Sequence, residues 1–595
     1  MQRFLCVVAL LACAAAHAAT TPPAGAISWH GWSDDVFARA QAQKSFVLLD
    51  LEAVWCHWCH VMDETTYQDP RVAELIAQKY IAVRVDQDAD PALAARYQDY
   101  GWPATIVLGA DGAEIVKRRG YLAPEAMASL LAAIIKDPSP GPSVVAAEKV
   151  QPARAALLSR GQRRALSTVY FESYDTRYAG WGSEQKFIDA DSLEYALAHA
   201  KTAPREAAMA RATLSAAQAL IDPVWGGVFQ YSDARDWKSP HFEKIMSFQT
   251  QYVRLYAQGY RVLADAAFLR AAQNIDRYVQ NFLTSAAGVV YVSQDADVDA
   301  QLTGHKFYAM SDAERRRHPN PHIDTHVYAR ENGWEITALA ALYDATGDER
   351  YLARARRAAA WMTSQRATGA GGFSHDGDAT APAALGDTLA MGQGNLALYV
   401  ATGERAYLNE ARQALDFIDS QFAAPGAGYA TVAVARGARG VFREAVRDVD
   451  ENIGVARFAN ALYRYDGDAR ARARARHAMR YLAAAQIADG QHLRTGILLA
   501  DAELASDPTH VTIVGHKDDG SAQSLHAAAL RFPVSYRRID WWDKREGAMP
   551  NPDVRYPELA RAAAFICSGN ACSQPVFSPP ELVQALDVAT SPDRD

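Results

Sequence analysis

Apolar and polar residues follow one rhythm up to about residue 137 and another beyond it. In the first part, short apolar runs of strand length stand between amphipathic stretches. Residues 45–51 (S-F-V-L-L-D-L), 81–85 and 106–108 read as strands, and 114–118 as a fourth entered through the Asp111-Gly112 hairpin signal. Between them, 29–39 reads as a helix with Ser33 as N-cap, 69–80 as one opening with Pro70, and 92–100 and 124–135 as two more. The order is that of an α/β unit.

A proline-rich stretch, Asp137 to Ser143, opens a linker over 138–150. From there to about residue 486 Ala, Leu and Tyr recur at spacings of three and four, the helical period. Internal repeats organise this part: Leu342-Tyr343-Asp344-Ala345-Thr346-Gly347-Asp348 returns at Leu398-Tyr399 and more loosely at Leu462-Tyr463, 56 and 64 residues on. Each copy ends one helix at a glycine C-cap and starts the next about four residues later, so the unit is a helix pair; a further copy starts at Leu255-Tyr256. Such units over residues 151–500 amount to roughly six hairpins, in a closed barrel or an open solenoid. Residues 501–595 change again: strand 510–515, helix 522–531, strand 534–540, then Cys567, Cys572 and a helix from Pro580.

A chain of 595 residues exceeds what one core supports, which agrees with this division. A formal charge of −8, with no Lys/Arg run interleaved with aromatics, argues against nucleic acid. Arg3, an apolar stretch over 4–13 and Ala16-His17-Ala18 make residues 1–18 an expected signal peptide, placing the mature chain in the periplasm or outside the cell; cleavage before Cys13 with lipidation there is the alternative. No later stretch approaches the ~20 apolar residues of a membrane span. Cys56, Cys59, Cys567 and Cys572 then face an oxidising compartment.

The chemistry centres on residues 54–62, V-W-C-H-W-C-H-V-M. Asp50 lies six residues before Cys56, Trp55 precedes it, and Pro103 heads the strand pair downstream. Together these resemble the thioredoxin fold over residues 27–136. The W-C-H-W-C-H form is narrower and resembles the thioredoxin-like domain of the spermatogenesis-associated protein 20 family. That resemblance implies a multidomain chain of α/β plus all-α class: a thioredoxin-like domain (19–137), an (α/α)6 six-hairpin, glycosidase-like toroid, and a small C-terminal α/β appendage packed on it. In such a frame Cys56 begins a helix whose N–H groups and dipole favour the thiolate. Cys56 attacks, Cys59 one turn on resolves, Asp50 takes a proton, Pro103 faces the pair, and His57 and Trp58 replace the more familiar Gly-Pro between the cysteines. Cys56-His57-Trp58-Cys59-His60 is also a literal haem-attachment signature, and an inert disulfide or bound metal fits the same letters; the neighbours Asp50 and Pro103 favour redox thiols without metal or cofactor. The partner is then a protein thiol or disulfide client, or a redox partner.

A second candidate site lies in the helical part. His241-Phe242-Glu243-Lys244 and Asp295-Ala296-Asp297 match H-F-E-K and D-A-D motifs of the resembled family, Glu331-Asn332-Gly333 stands where it has W-N-G, and Asp387 and Asn452 fall near two further polar positions. Acids at helix starts are commonly caps or ion pairs. Recurring in successive hairpins, these could instead ring a central cavity, where paired carboxylates suit glycosidase or epimerase chemistry and Trp181, Trp225, Trp237 and Trp334 could stack on a carbohydrate ligand or simply fill the core. A docking scaffold is the non-enzymatic alternative. Cys567 and Cys572 read as a structural disulfide, with free thiols or a second relay as the other readings.

Overall fold

A computed structural model describes residues 26–33, 35–145, 149–378, 380–569 and 571–591. The expected leader and Cys13 lie outside the described residues.

The N-terminal unit is built on a sheet of order β2-β1-β3-β4, from β1 (Phe46–Glu52), β2 (Tyr80–Asp86), β3 (Ala104–Leu108) and β4 (Glu114–Arg119). β1 runs parallel to β2, and β3 antiparallel to both β1 and β4. Alternation along β1 feeds two cores. Val47, Leu49 and Leu51 meet α1 (Val36–Gln43) and α4 (Pro91–Tyr97). Leu48 meets α2 (His57–Thr65), α3 (Pro70–Lys79) and α5 (Pro124–Lys136) on the other face. The first helix is shorter than the 29–39 expected, because the segment before it is drawn onto the sheet edge. His30 bonds the backbone of Ala82 and Arg84, Trp29 lies 4.2 Å beneath the Arg84 guanidinium, and the Ser33 hydroxyl donates to Asp35 instead of capping.

The helical part closes on itself. Six inner helices, α7 (Ala190–His199), α9 (Met246–Leu263), α13 (Ala329–Thr346), α15 (Leu385–Thr402), α17 (Val449–Asp466) and α19 (Thr495–Ala505), pack in that cyclic order, and α19 returns to α7. Outside them lie α6 (Arg160–Glu172), α8 (Pro204–Ala217), α10 (Ala266–Phe282), α14 (Glu349–Gln365), α16 (Arg405–Phe422) and α18 (Ala469–Leu482). This is the (α/α)6 toroid, and of barrel and solenoid it is the barrel. The repeats sit where inner helices end: Gly347, Gly403 and Gly467 take φ of 72°, 69° and 70°, while Ala264 does the same at 53° in the copy that began at Leu255. Asp265, Asp348 and Asp468 then cap the next helix.

Between hairpins two long insertions carry α11 (Gly304–Tyr308), α12 (Asp312–Arg315) and a sheet of three two-residue strands, β5 (Lys244–Ile245), β6 (Ser293–Gln294) and β7 (Ile323–Asp324). The C-terminal unit has sheet order β11-β10-β8-β9, from β8 (Thr509–Val514), β9 (Arg537–Trp542), β10 (Ala563–Ser568) and β11 (Ala571–Cys572), with α20 (Gly520–Arg531) and α21 (Pro579–Ala589). β10 has no counterpart in the sequence reading. Cys567 and Cys572 stand opposite each other on β10 and β11 and are disulfide-bonded.

The two ends of the ring are covered by different units. At the ends of the inner helices, Arg537 pairs with Asp344, Lys517 reaches the Gly403 carbonyl and Tyr465 accepts the Ile539 N–H. At their starts lies the N-terminal unit, where Gln98 donates to Asp448 and His375 reaches the Asp88 carbonyl.

Gly333 lets α13 and α15 approach: a Cβ there would lie 2.4 Å from the Ala390 carbonyl carbon. Gly333→Ala is therefore expected to cost about 3 kcal/mol, and Gly347→Ala, which strains only a left-handed cap, about 1 kcal/mol. Melting temperatures of the two variants check the order, and a larger drop for Gly347→Ala would refute the close crossing.

Candidate redox site at the seam between the two folds

β1 runs directly into the cysteines. The chain turns at Ala53, whose carbonyl accepts the Cys56 N–H, and Cys56 becomes the N-cap of α2. Its sulfur accepts the Cys59 N–H at 3.2 Å and is bonded to the Cys59 sulfur. The positive end of a helix and a backbone donor thus act on the sulfur expected to carry charge. The Trp102–Pro103 peptide is cis.

Asp50 is 2% exposed on β1 opposite Arg84 of β2. Burial raises its carboxyl to about 6, against the pull of Arg84 at 3.3 Å. The same guanidinium serves Glu52 at 3.2 Å and Asp63. Asp50, Glu52 and Asp63 are close enough together to hold a cation, and the cation they share is Arg84. Burial also lifts Glu52 to about 8.

The other wall of the site comes from the toroid. The pairing of β5 with β6 puts Lys244 opposite Gln294, so the flanking Glu243 and Asp295 emerge side by side above α2. Asp297 meets His57 Nδ1 at 2.5 Å, and Asp295 lies 3.5 Å from His60 Nδ1. The Asp297 hydrogen bond holds His57 charged above the usual histidine range. Burial pushes Asp297 up, but His57 and the Gly304 N–H outweigh it and the carboxyl sits low. That contact is an ion pair. At the second, burial lowers His60 and raises Asp295 to about 7, so burial disfavours the charged form of both partners. Burial raises Glu243 as well, opposed by His241 at 3.8 Å, and its Oε2 has no hydrogen-bond partner among the described residues. Behind it Lys244 and Arg315, both fully buried, share the fully buried Asp222 at 2.8 and 2.7 Å, anchoring the loop.

The remaining candidates divide. Glu331 and Asp387 reach the seam on the far side of Trp55, whose Nε1 donates to Asp88 at 2.7 Å. Arg330 lies between Asp88 at 3.7 Å and Glu331 at 2.7 Å. His375 bonds Asp387 with Nδ1 and the Asp88 carbonyl with Nε2; both partners only accept, so it makes both bonds as imidazolium. Asn332 and Asn452, expected around a cavity, are instead fully buried and bonded to backbone. Asn332 receives the Val290 N–H and donates to the Val290 and Tyr328 carbonyls; Asn452 does the same with Tyr429 and Asp448. Gln249 on α9 pins Val228 in the same manner. The recurrence of polar residues is real, and for these amides its cause is backbone satisfaction. Trp181, Trp225 and Trp237 are core, each donating to a protein acceptor. Asp88, Arg330 and His375 were missed: each stands singly in the sequence, with no neighbour to mark it.

Residues 18–135 match the Thioredox_DsbH family model, described as "Protein of unknown function, DUF255". Over 308 residues the chain is 27% identical to human spermatogenesis-associated protein 20, covering 46% of this chain and 39% of that one. Over that stretch the chain is similar to spermatogenesis-associated protein 20. It thus covers less than half the length of that curated relative. The thioredoxin-like part is also 37% identical over 79 residues to the thiol:disulfide interchange protein DsbD of Pseudomonas fluorescens, 13% of each chain. Among solved structures, the cellobiose 2-epimerase of Bacillus thermoamylovorans superposes with a TM-score of 0.44 at 11% identity, covering 54% of this chain and 86% of that one.

The seam binds protons more tightly folded than unfolded. Asp50, Asp295, Asp86 and Asp88 are raised by burial, His57 is raised by Asp297, and His375 is raised by Asp387 against its burial. Each contributes stability that is present below its unfolded pKa and is lost as pH rises through its folded one. Asp297, held low, acts oppositely and only in acid, and His60, lowered by burial, also acts oppositely but is outnumbered by the raised groups. The melting temperature is expected to fall as pH rises from about 6 to about 8.5; a rise over that span would contradict the seam's protonation. In Asp297→Asn the His57 ring should titrate at lower pH than in the parent, as read from its NMR chemical shifts.

Proposed function

We propose that the chain is an exported thiol–disulfide oxidoreductase acting through Cys56 and Cys59, with the toroid supplying part of the redox site. What carries this reading is the cysteine pair at the N-terminus of α2 with its intervening His57 held by Asp297 of the toroid. The reduced pair works in two steps. The Cys56 thiolate attacks a partner disulfide, forming a mixed disulfide and releasing one partner thiolate. Cys59 then attacks the Cys56 sulfur, closing the Cys56–Cys59 disulfide and releasing the second; two electrons pass to the partner. The positive end of α2 lowers the cost of the Cys56 thiolate, and the Asp297-held imidazolium of His57 adds a nearby positive charge. Asp50, with a pKa of about 6, takes the Cys59 proton.

Two observations favour this over the alternatives. Cys56 and Cys59 are bonded to each other within a buried apolar cluster, an arrangement ill suited to wrapping a haem. Asp295 and Asp297, which sugar chemistry would require, face His60 and His57 of the redox motif.

The test uses the pre-reduced protein and 5,5′-dithiobis(2-nitrobenzoate), with adducts mapped by peptide mass. Cys56→Ser is expected to slow release of the coloured thiolate from this site at least about a hundredfold. Cys59→Ser should release one thiolate and retain the other half on Cys56. A Cys56→Ser protein that matches the parent sinks the reading.

A further inference from the structure

A thioredoxin-like domain standing alone would present its cysteines at the surface to a partner's backbone. Here the toroid lies over them. Cys56 is 4% and Cys59 3% exposed, and the pair sits in one apolar cluster with Trp55, Trp102 and, from the toroid, Ile245 and Phe248. Both toroid residues are firmly placed: Ile245 belongs to β5, between the Lys244–Asp222–Arg315 anchor and the start of α9, and Phe248 is in the first turn of that helix. The His57–Asp297 and His60–Asp295 contacts hold the cover on one side of the motif, and Trp55–Asp88 with His375 and Arg330 holds it on the other. Of the motif Trp58 is 47% exposed and the His60 and His57 side chains reach solvent in part, at 42% and 35%, while the cysteines between them do not.

A sulfur is attacked along its S–S axis, so the attacking group must enter the space these side chains fill. A folded protein bearing a thiol on its own surface needs a broad face to dock against, and that face is occupied by the toroid. A small thiol needs only side-chain motion at the seam. Resting on the redox reading above, we propose that the thiol partner which reduces Cys56–Cys59 is a low-molecular-mass thiol or dithiol, not a thiol presented by a folded protein. In the step, a partner thiolate bonds to the Cys56 sulfur as the Cys56–Cys59 bond breaks and Cys59 leaves as thiolate. A second thiol group then displaces Cys56 to form the partner's disulfide. Two electrons enter the protein, and the two partner thiol protons end on Cys56 and Cys59.

The experiment compares two reductants on the oxidised full-length chain: dithiothreitol, and reduced thioredoxin as a folded protein dithiol. Thiols are alkylated at timed intervals and the Cys56–Cys59 and Cys567–Cys572 peptides quantified separately by mass. Insulin, whose disulfides thioredoxin reaches readily, is run alongside to normalise for intrinsic reactivity. The ratio of thioredoxin to dithiothreitol rate constants on Cys56–Cys59 is expected to lie at least about a hundredfold below the ratio on insulin, because exchange rates depend on access to the attacked sulfur. A ratio equal to that of insulin would overturn the proposal while leaving the redox reading intact. Failure of both reductants to open Cys56–Cys59, with insulin reduced normally, would overturn the redox reading itself.

Discussion

The imidazole of His57 and the carboxylate of Asp297 meet at 2.5 Å, 240 residues apart in the chain, and much of the molecule serves to place them. One partner rides on the first turn of α2, which is fixed by a central strand buried on both faces. The other rides on an insertion with only the short α11 and α12 and no long strand to stiffen it. Its rigidity comes from three two-residue strands and from Asp222 held by two buried cations. Burying three charges is expensive unless every one is satisfied, and here each cation reaches the carboxylate while Lys244 also lies 4.2 Å from the Tyr278 ring centre. Even so, burial lowers Lys244 to about 8. Hydrophobic packing alone would be the cheaper way to stiffen a loop. A charged anchor does, however, specify one arrangement of Glu243 relative to the cysteines.

The ring itself explains why carboxylates gather at this end. All six inner helices begin on the side where the N-terminal unit sits, so their unpaired N–H groups and positive dipole ends converge there. Asp191, Glu331, Asp387 and Glu451 occupy first turns of α7, α13, α15 and α17, where negative charge is favoured. Burial opposes this for Asp191 and Glu451 and drives the carboxyl up, to about 7 and about 8. The helix starts favour charge and desolvation disfavours it.

Much of this architecture is legible without coordinates, and the limits are physical. Apolar alternation marks β1 to β4 because each strand is long enough to show a period. Glycine caps mark the hairpins because a left-handed residue at Gly347, Gly403 and Gly467 has few substitutes. β5, β6 and β7 have two residues each and so no period, yet they carry Glu243 and Asp295 to the cysteines. The H-F-E-K and D-A-D motifs read as a separate site in the sequence, since nothing along the chain ties Asp297 to His57. Asn332 and Asn452 look like site residues because they recur, and they recur because the loops at Val290 and Tyr429 each leave backbone groups for an inner helix to satisfy.

Two acids now stand as candidate proton acceptors for the resolving thiol, and their settings separate them. Asp50 lies on β1 beneath α2, within the N-terminal fold, its charge tempered by Arg84 from the neighbouring strand. It therefore keeps its raised pKa whether or not the toroid is docked. Asp295 belongs to the toroid, and burial raises it to about 7. If the seam loosens, water reaches Asp295 and the carboxyl falls toward the ordinary range, whereas Asp50 is unaffected. In the proposed cycle the mixed disulfide at Cys56 holds an adduct in the space the toroid fills, and resolution by Cys59 starts from that opened seam and expels the adduct. On the proposed redox reading, the acid whose proton affinity depends least on the toroid is Asp50, which makes it the proposed acceptor of the Cys59 proton.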